Sequence, residues 1–515
     1  MQEVVDFLGG IIWSPALIYL CLAAGLFYSV LTRFVQLRQF KEMCRLLLSG
    51  KSSSEGISSF QALAVSLSGR VGTGNIAGVA AAIGFGGPGA VFWMWVVAFL
   101  GASTAFAEST LAQIYKEEDK GEFRGGPAYY IEKAMGVKWY AVIFAITTIV
   151  ATGVLLPGVQ ANSIGNAVET AFGSGPIIET SIGAYSFAKI FTATAVSLIL
   201  AFIIFGGVKR IASFTQIVVP FMALAYMVIA IAIVLLNINQ VPAVFSLIVG
   251  DAFTPMAGFG AAIGWGVKRG IYSNEAGQGT GPHAAAAANV DHPAQQGLVQ
   301  SFSIYIDTLL VCSATAFMII ITGAYNVTGG ETGFIVQNLA ASVEINSPQF
   351  TQLAVSSALP GIGKPFVALA LFFFAFTTIL AYYYIAETNI AYLKRTIKGS
   401  GLVGGLKLAL VISVFYGTVH TASLAWALGD IGVGLMAWLN IVGILIVFFI
   451  SKPAIKALED YERQQKAGVT NYTFDPVKLG ITGATYWENR LNKHSKAPAA
   501  APQTEEKPLV QQPSA

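Results

Sequence analysis

Two stretches of this chain place ligand-binding groups inside otherwise apolar sequence. The first is Ser66-Leu67-Ser68-Gly69-Arg70-Val71-Gly72-Thr73-Gly74-Asn75-Ile76-Ala77-Gly78. It lies about halfway along a segment, near 60–85, long enough to cross a bilayer. Glycine costs roughly 1 kcal/mol against alanine in a helix, so Gly72 and Gly74 weaken the helix there. A helix broken at that depth leaves backbone groups unpaired, which is tolerated only where they line a protein cavity or bind something. Close helix packing is the other use of such small residues. The second stretch, Gly266 to Pro282, carries Lys268, Arg269, Asn274, Glu275, Gln278 and five glycines, and cannot be a lipid-facing helix. Read as a loop between two short spans, it would reverse every later segment and put Lys394, Arg395 and Lys398 outside; one interrupted span is therefore expected. Half-helix N-termini offer N–H groups to a carboxylate, and half-helix C-termini offer carbonyls to a cation or an ammonium group.

Charged residues within apolar runs are the next candidates, because an ionisable group at membrane depth is functional by default. Asp307 and Arg70 both lie near mid-span. Three uses compete: Asp307 as a cation ligand, a buried Arg70–Asp307 or Arg70–Glu275 pair, and a proton-carrying carboxyl. Glu108 serves either as a gate or as a satisfied polar contact. Lys268 and Arg269 are expected to face a water-filled vestibule. Trp265, Tyr272 and Phe85 flank the two breaks; they could close a pocket for a small side chain or simply pack.

The elements that must position these groups are membrane helices. The chain has 515 residues, 55% hydrophobic and only 11% charged, with a mean hydropathy of +0.65. A soluble domain carries nearer a quarter charged residues. Apolar runs of roughly 20 residues exclude a β-barrel. The net charge of +3 and dispersed basic residues give no sign of nucleic-acid binding. Cys21, Cys44 and Cys312 are too scattered for a disulfide framework or metal cluster, and the four histidines lack zinc-site spacing. The acidic start, Met1 to Asp6, has no basic region of a cleavable signal peptide.

Apolar runs set against charged loops predict an all-α polytopic protein of eleven transmembrane helices. They fall near 11–31, 60–85, 90–114, 140–164, 187–205, 211–236, 257–288, 298–322, 365–388, 405–424 and 431–450. Arg33, Arg38, Lys41, Arg45 and Lys51 fill the first loop, so the N-terminus is expected outside and the C-terminus in the cytoplasm of a cell with its inner membrane spanned many times. Shorter pieces at Gly125–Met135, Val241–Phe253 and Ser347–Leu359 read as interfacial helices, and the tail as polar, then disordered at its end. The interrupted second and seventh spans each open a set of five. Five is odd, so the sets run oppositely through the membrane, the sequence pattern of a secondary transporter with its site at the midplane. The domains are then 1–57 (extra helix and basic loop), 58–236 (first repeat), 237–450 (second repeat) and 451–515 (tail).

Gly72-Thr73-Gly74-Asn75-Ile76-Ala77-Gly78-Val79-Ala80 and Ser273-Asn274-Glu275-Ala276-Gly277 resemble the two signatures of the alanine/glycine:cation symporter family. Thr377 to Tyr384 and Phe474 to Ile481 resemble further stretches of it. The resemblance implies a LeuT-type fold, five plus five inverted helices after one extra N-terminal helix, and sodium-driven uptake of alanine or glycine. It also implies roles. The substrate carboxylate would meet the amides of Gly72, Thr73 and Gly74 and the Thr73 hydroxyl. Its ammonium would meet carbonyls where the seventh span unwinds, around Gly270, Tyr272 and Ser273, with Gln160 as a polar contact and Trp265 and Asn274 nearby. Sodium would take the carbonyls of Ser68 and Val71 and the hydroxyls of Thr377 and Thr378; for the two threonines, back-bonding to the preceding turn is the alternative. A second cation would use Asn75 with Ser273 or Asn274, and Asp307. No other cofactor and no obligatory protein partner is implied, only lipid. Proton coupling through Asp307 or Glu275 is the nearest rival, and an ion channel filtered by Gly72 to Asn75 the rival of another class.

Overall fold

The computed structural model describes residues 2–48, 56–180, 183–205, 207–329, 333–397, 399 and 401–496. The expected disordered end of the tail, beyond 496, lies outside these residues, as do Lys51 and Lys398. Eight helices among the described residues are long and apolar enough to cross a membrane: Gly89–Ile114, Lys138–Phe172, Phe187–Ile204, Ser213–Leu236, Pro293–Ile321, Gly363–Lys394, Leu402–Val419 and Ala422–Ser451. A ninth forms if Gln2–Ile12 and Pro15–Leu31, bent by 40° to each other, count as one span. The bend falls before Pro15, whose ring and missing N–H end the helical ladder.

Two further helix pairs are interrupted. Ser59–Arg70 stops at Val71, whose φ of −77° and ψ of 87° leave the helical region, and the chain resumes as a π-helical turn, Gly74–Gly78, running into Val79–Gly86. Phe259–Asn274 stops at Glu275, held left-handed at φ +59°, and Gly281–Ala287 follows. Between them Gly277 and Gly279 take φ of +78° and +87°, which a side chain would resist.

Burial sorts the helices into a centre and a rim. The apolar window of Gly363–Lys394 is 78% buried, that of Ser213–Leu236 only 28%, so the latter lies on the periphery with an apolar outer face. At the centre, Phe259–Asn274 packs along Gly89–Ile114 and touches both Gly74–Gly78 and Val79–Gly86. Ser59–Arg70 packs against Gly363–Lys394, which also carries Leu156–Phe172.

The expected interfacial helices are present as Pro127–Met135, Val241–Phe253 and Gln349–Ala358. The all-α expectation needs one amendment: among the described residues three antiparallel strand pairs occur, Glu117–Asp119 with Glu122–Arg124, Ile177–Thr180 with Gly183–Ser186, and Asn326–Thr328 with Phe334–Gln337. The tail also folds further than its polarity suggests. Helices Pro453–Lys466 and Thr485–Lys496 dock on the ends of the bundle, with Tyr461, Phe474 and Trp487 buried. The Tyr461 hydroxyl donates to Glu42, and the Trp487 indole donates to the Gln113 carbonyl at 2.8 Å.

Candidate functional site

The two interruptions cross in contact. A Cβ on Gly74 would lie 3.1 Å from Ser273 Cα and 3.3 Å from a Tyr272 ring carbon. A Cβ on Gly72 would overlap Thr378 Oγ1 and sit 2.9 Å from Gln160 Oε1. Glycine at Gly74 keeps the crossing close, and glycine at Gly72 leaves room for the Thr378 and Gln160 side chains.

The amides exposed by the first break are held by side-chain oxygens. Gly72 N donates to Asn75 Oδ1 at 2.8 Å, and Thr73 N donates to Gln160 Oε1 at 2.9 Å. The Thr73 hydroxyl is buried and has no partner. Gln160 reaches the break from Leu156–Phe172, and the Tyr272 and Tyr382 hydroxyls face its side chain. Two amide donors and a free hydroxyl converge where an acceptor oxygen can be exchanged, which is what recognition of a carboxylate needs.

Beside them lies a buried carboxylate with neutral partners. Asn75 Nδ2 donates to Asp307 Oδ1 at 2.6 Å, the Ser273 hydroxyl sits 2.9 Å from Oδ2, and the Thr308 hydroxyl donates to Oδ2 at 2.7 Å. Asn274 Nδ2 reaches Thr308 Oγ1 at 3.3 Å, while its own Oδ1 caps Ala276 N at 3.0 Å. Asp307 stands in a π-helical segment, Tyr305–Cys312. An α-helix turns residues five apart by about 140°, whereas a π turn closes on the fifth residue. That geometry lets Asp307 and Cys312 both meet Asn75, the thiol at 3.3 Å. The oxygen-rich, fully buried cluster joins both broken pairs and suits a hard cation.

The other predicted cation ligands separate. The Thr378 hydroxyl back-bonds to the Phe374 carbonyl at 3.0 Å and also reaches across to the Ser68 carbonyl at 2.7 Å, beside the bend at Val71. The Thr377 hydroxyl bonds only its own preceding turn, to the carbonyls of Phe373 at 2.9 Å and Phe374 at 3.0 Å, the back-bonding alternative.

Several expectations are corrected. The seventh segment does not unwind at Gly270 to Ser273: the helix continues to Asn274, the Ile271 carbonyl accepts from Glu275 N at 2.9 Å, and Gly270 packs against Met94 and Val97. Unwinding waits for the left-handed Glu275 and the glycines after it. Arg70 pairs with neither Asp307 nor Glu275. Its Nη1 donates to Gln300 Oε1 at 3.1 Å and to Ser303. Glu275 accepts from the Thr280 hydroxyl at 2.8 Å. Glu108 clamps the second break, accepting from Gly277 N at 3.2 Å and from Asn440 Nδ2 at 2.6 Å, while Asn440 Nδ2 also donates to the Gly277 carbonyl and Asn440 Oδ1 accepts from Tyr130. Trp265 stacks on Phe85 at 4.5 Å, away from the crossing. Arg269 lines an open cavity together with Lys268, as a vestibule requires, but is itself committed to partners. It is buried, 2.8 Å from Asp430 Oδ1, with its guanidinium 4.2 Å over the Trp426 ring.

Trp426, whose ring packs 4.8 Å from that of Tyr272, and Asp430 are the partners that sequence reasoning missed. Both fall between the runs 405–424 and 431–450 that predict the last two spans, whereas the helix starts at Ala422 and contains them. The glycine-rich breaks, by contrast, identified themselves.

Interrupted helices that cross at a buried polar site define a membrane transporter of the LeuT type. The fold matches the crystal structure of MhsT in complex with L-phenylalanine with a TM-score of 0.53, covering 79% of this chain and 99% of that one at 14% identity, a likeness of fold alone. The sodium:alanine symporter family model matches residues 1–476, and the chain belongs to that family. YrbD of Bacillus subtilis (strain 168) is 56% identical over 500 residues, 96% of this chain and 99% of that protein. A sodium/proton-dependent alanine carrier protein of Bacillus sp. (strain PS3) is 50% identical over 451 residues, 87% of this chain and 97% of its own. The sodium/alanine symporter AgcS of Methanococcus maripaludis is 36% identical over 475 residues, 90% of this chain and 98% of its own.

Proposed function

We propose that this protein is a secondary transporter that couples inward sodium flow to the uptake of alanine, and also of glycine, by alternating access. The observation that carries the reading is the crossing itself: amides of Gly72 and Thr73 lie beside the Asn75–Ser273–Asp307 cluster, so an amino-acid carboxylate and a cation would share one set of ligands. The carboxylate displaces Gln160 Oε1 from the Thr73 amide and gains the Thr73 hydroxyl. One sodium binds at Asp307, which offsets the cost of a buried charge. A second binds between the Ser68 and Val71 carbonyls and the Thr378 hydroxyl. Tyr272 and Trp426 bound the space left for the substrate side chain, which favours a hydrogen atom or a methyl group.

The architecture that fits this cycle has eleven spans: the bent N-terminal pair, the eight long helices, and the interrupted pairs at 59–86 and 259–287. The two sets of five, 58–236 and 237–450, form inverted repeats, with the N-terminus outside and the tail in the cytoplasm.

A proton-coupled cycle is the second reading, favoured by the neutral hydrogen-bond partners of Asp307 and compatible with the Bacillus sp. relative, a sodium/proton-dependent carrier. Labelled alanine uptake into proteoliposomes separates the two. Uptake driven by an imposed sodium gradient, and not by a proton gradient alone, is the expected result. Uptake driven by protons alone moves the coupling to Asp307 as a proton carrier, and no uptake under either gradient overturns the substrate assignment.

A further inference from the structure

Where the tail docks, the far ends of the two broken pairs are zipped together. Ile57 N, just before Ser59–Arg70, donates to the Ala287 carbonyl at 3.2 Å, and Asn289 N donates back to the Ile57 carbonyl at 3.0 Å. The end of Gly281–Ala287 leaves further carbonyls without helical partners, and side chains from the end of Gly89–Ile114 and just beyond it take them. Gln113 Nε2 donates to the Ala285 and Ala288 carbonyls, the latter at 2.9 Å, and Lys116 Nζ donates to the Ala288 carbonyl at 2.8 Å. Lys116 is fully buried, and among the described residues no carboxylate pairs with it. Three aromatic rings surround its ammonium instead: Phe123 at 4.3 Å, Tyr486 at 4.6 Å and Trp487 at 5.5 Å. Phe123 comes from the strand Glu122–Arg124, the other two from the tail helix Thr485–Lys496. A buried cation without a counter-charge is costly, and aromatic faces offset part of that cost only while they stay in place. The tail helix also ties the same two elements directly. The Trp487 indole holds the Gln113 carbonyl, while Arg490 Nη1 donates to the Val290 carbonyl at 2.6 Å and Nη2 lies 3.2 Å from Asp291 Oδ1.

We propose that Lys116 is a positioning residue of the transport cycle: caged by the tail's aromatic rings, it holds the Ala288 carbonyl and keeps the tail-side half-helices, Ser59–Arg70 and Gly281–Ala287, together. Those two halves touch, since a Cβ on Gly281 would overlap Arg70 and sit 3.8 Å from the Ser66 hydroxyl. A path from the crossing to the tail side opens when they part, and they part when Lys116 and Gln113 release the end of Gly281–Ala287. Rings supplied by the tail therefore set how readily that side opens, although none of them reaches the crossing. This rests on the alternating-access reading above.

Thiol labelling of the full chain in nanodiscs tests it, with Cys44→Ser removing the one cysteine that is not buried and Ser66→Cys as the reporter between the half-helices. A charged methanethiosulfonate, followed by peptide mass, should modify the reporter slowly in this background. Lys116→Met, which keeps the length of the side chain and loses its donor, should speed the modification about tenfold, and Arg490→Met should do the same. Cys21, buried in Pro15–Leu31, should stay unmodified throughout. Equal rates with and without Lys116→Met overturn the proposal. So does modification of Cys21 alongside the reporter, which marks a bundle loosened everywhere. If Lys116→Met does not fold, Arg490→Met, whose side chain is partly exposed, decides by the same rates. The labelling needs no alanine, so its outcome stands apart from the uptake experiment that tests the transport reading.

Discussion

Thr377 and Thr378 are neighbours in sequence with different commitments. Only the Thr378 hydroxyl leaves its own helix, to reach the Ser68 carbonyl. Thr378→Val should therefore raise the sodium concentration for half-maximal uptake about tenfold, equivalent to roughly 1.4 kcal/mol. Thr377→Val should change it less than about twofold, because its hydroxyl serves carbonyls already paired in the turn. Sodium titration of uptake in the two variants checks this, and equal effects would remove the distinction. Asp307 and Glu108 were legible as candidates because a carboxylate in an apolar run is costly unless it is paired or functional. Their partners were not. Asn440 and Gln300 are ordinary polar residues on distant segments, and only the fold brings them to Glu108 and Arg70.

At the scale of elements, the glycines argue for themselves. Gly74→Leu would push a branched side chain against Ser273 and Tyr272, so alanine binding at the crossing should vanish while the protein remains folded in the membrane. Size-exclusion chromatography and binding on the same sample measure both halves, and normal binding would remove the crossing as the site. The second break is held by Glu108 accepting two donors at once. Glu108→Gln turns one acceptor into a donor and strands either Gly277 N or Asn440 Nδ2, at a cost of about 1–3 kcal/mol. Transport should slow about tenfold, measured as the initial rate of labelled alanine uptake, and an unchanged rate would remove the clamp from the cycle. The first break was readable to within a few residues, since glycines fall where the helix stops. The second was misplaced by about one turn, because Gly270 looked like a breaker but serves close packing on Met94 and Val97, and the reversal at Glu275 depends on a left-handed residue that no composition rule marks.

The molecule as a whole was legible as a helical bundle with two interrupted segments, because lipid enforces helices and glycines mark where they stop. The folded tail was not legible, since its apolar anchors are single residues in polar sequence. Trp487→Ala should cost on the order of 3 kcal/mol, with an earlier melting transition in the purified protein. An unchanged transition would mean that the docked tail carries little of the stability. The docking also has a consequence for biosynthesis. Three stretches far apart in sequence, one with Arg38 and Glu42, one with Gln113 and one with Val290, Asp291 and His292, are stitched together by the tail residues Asp460, Tyr461, Glu462, Trp487 and Arg490. Those tail residues leave the ribosome last. The helices enter the bilayer in order, but this face is fastened only when translation is complete, so a chain cut short by a premature stop codon inserts yet presents an unfastened surface to proteases.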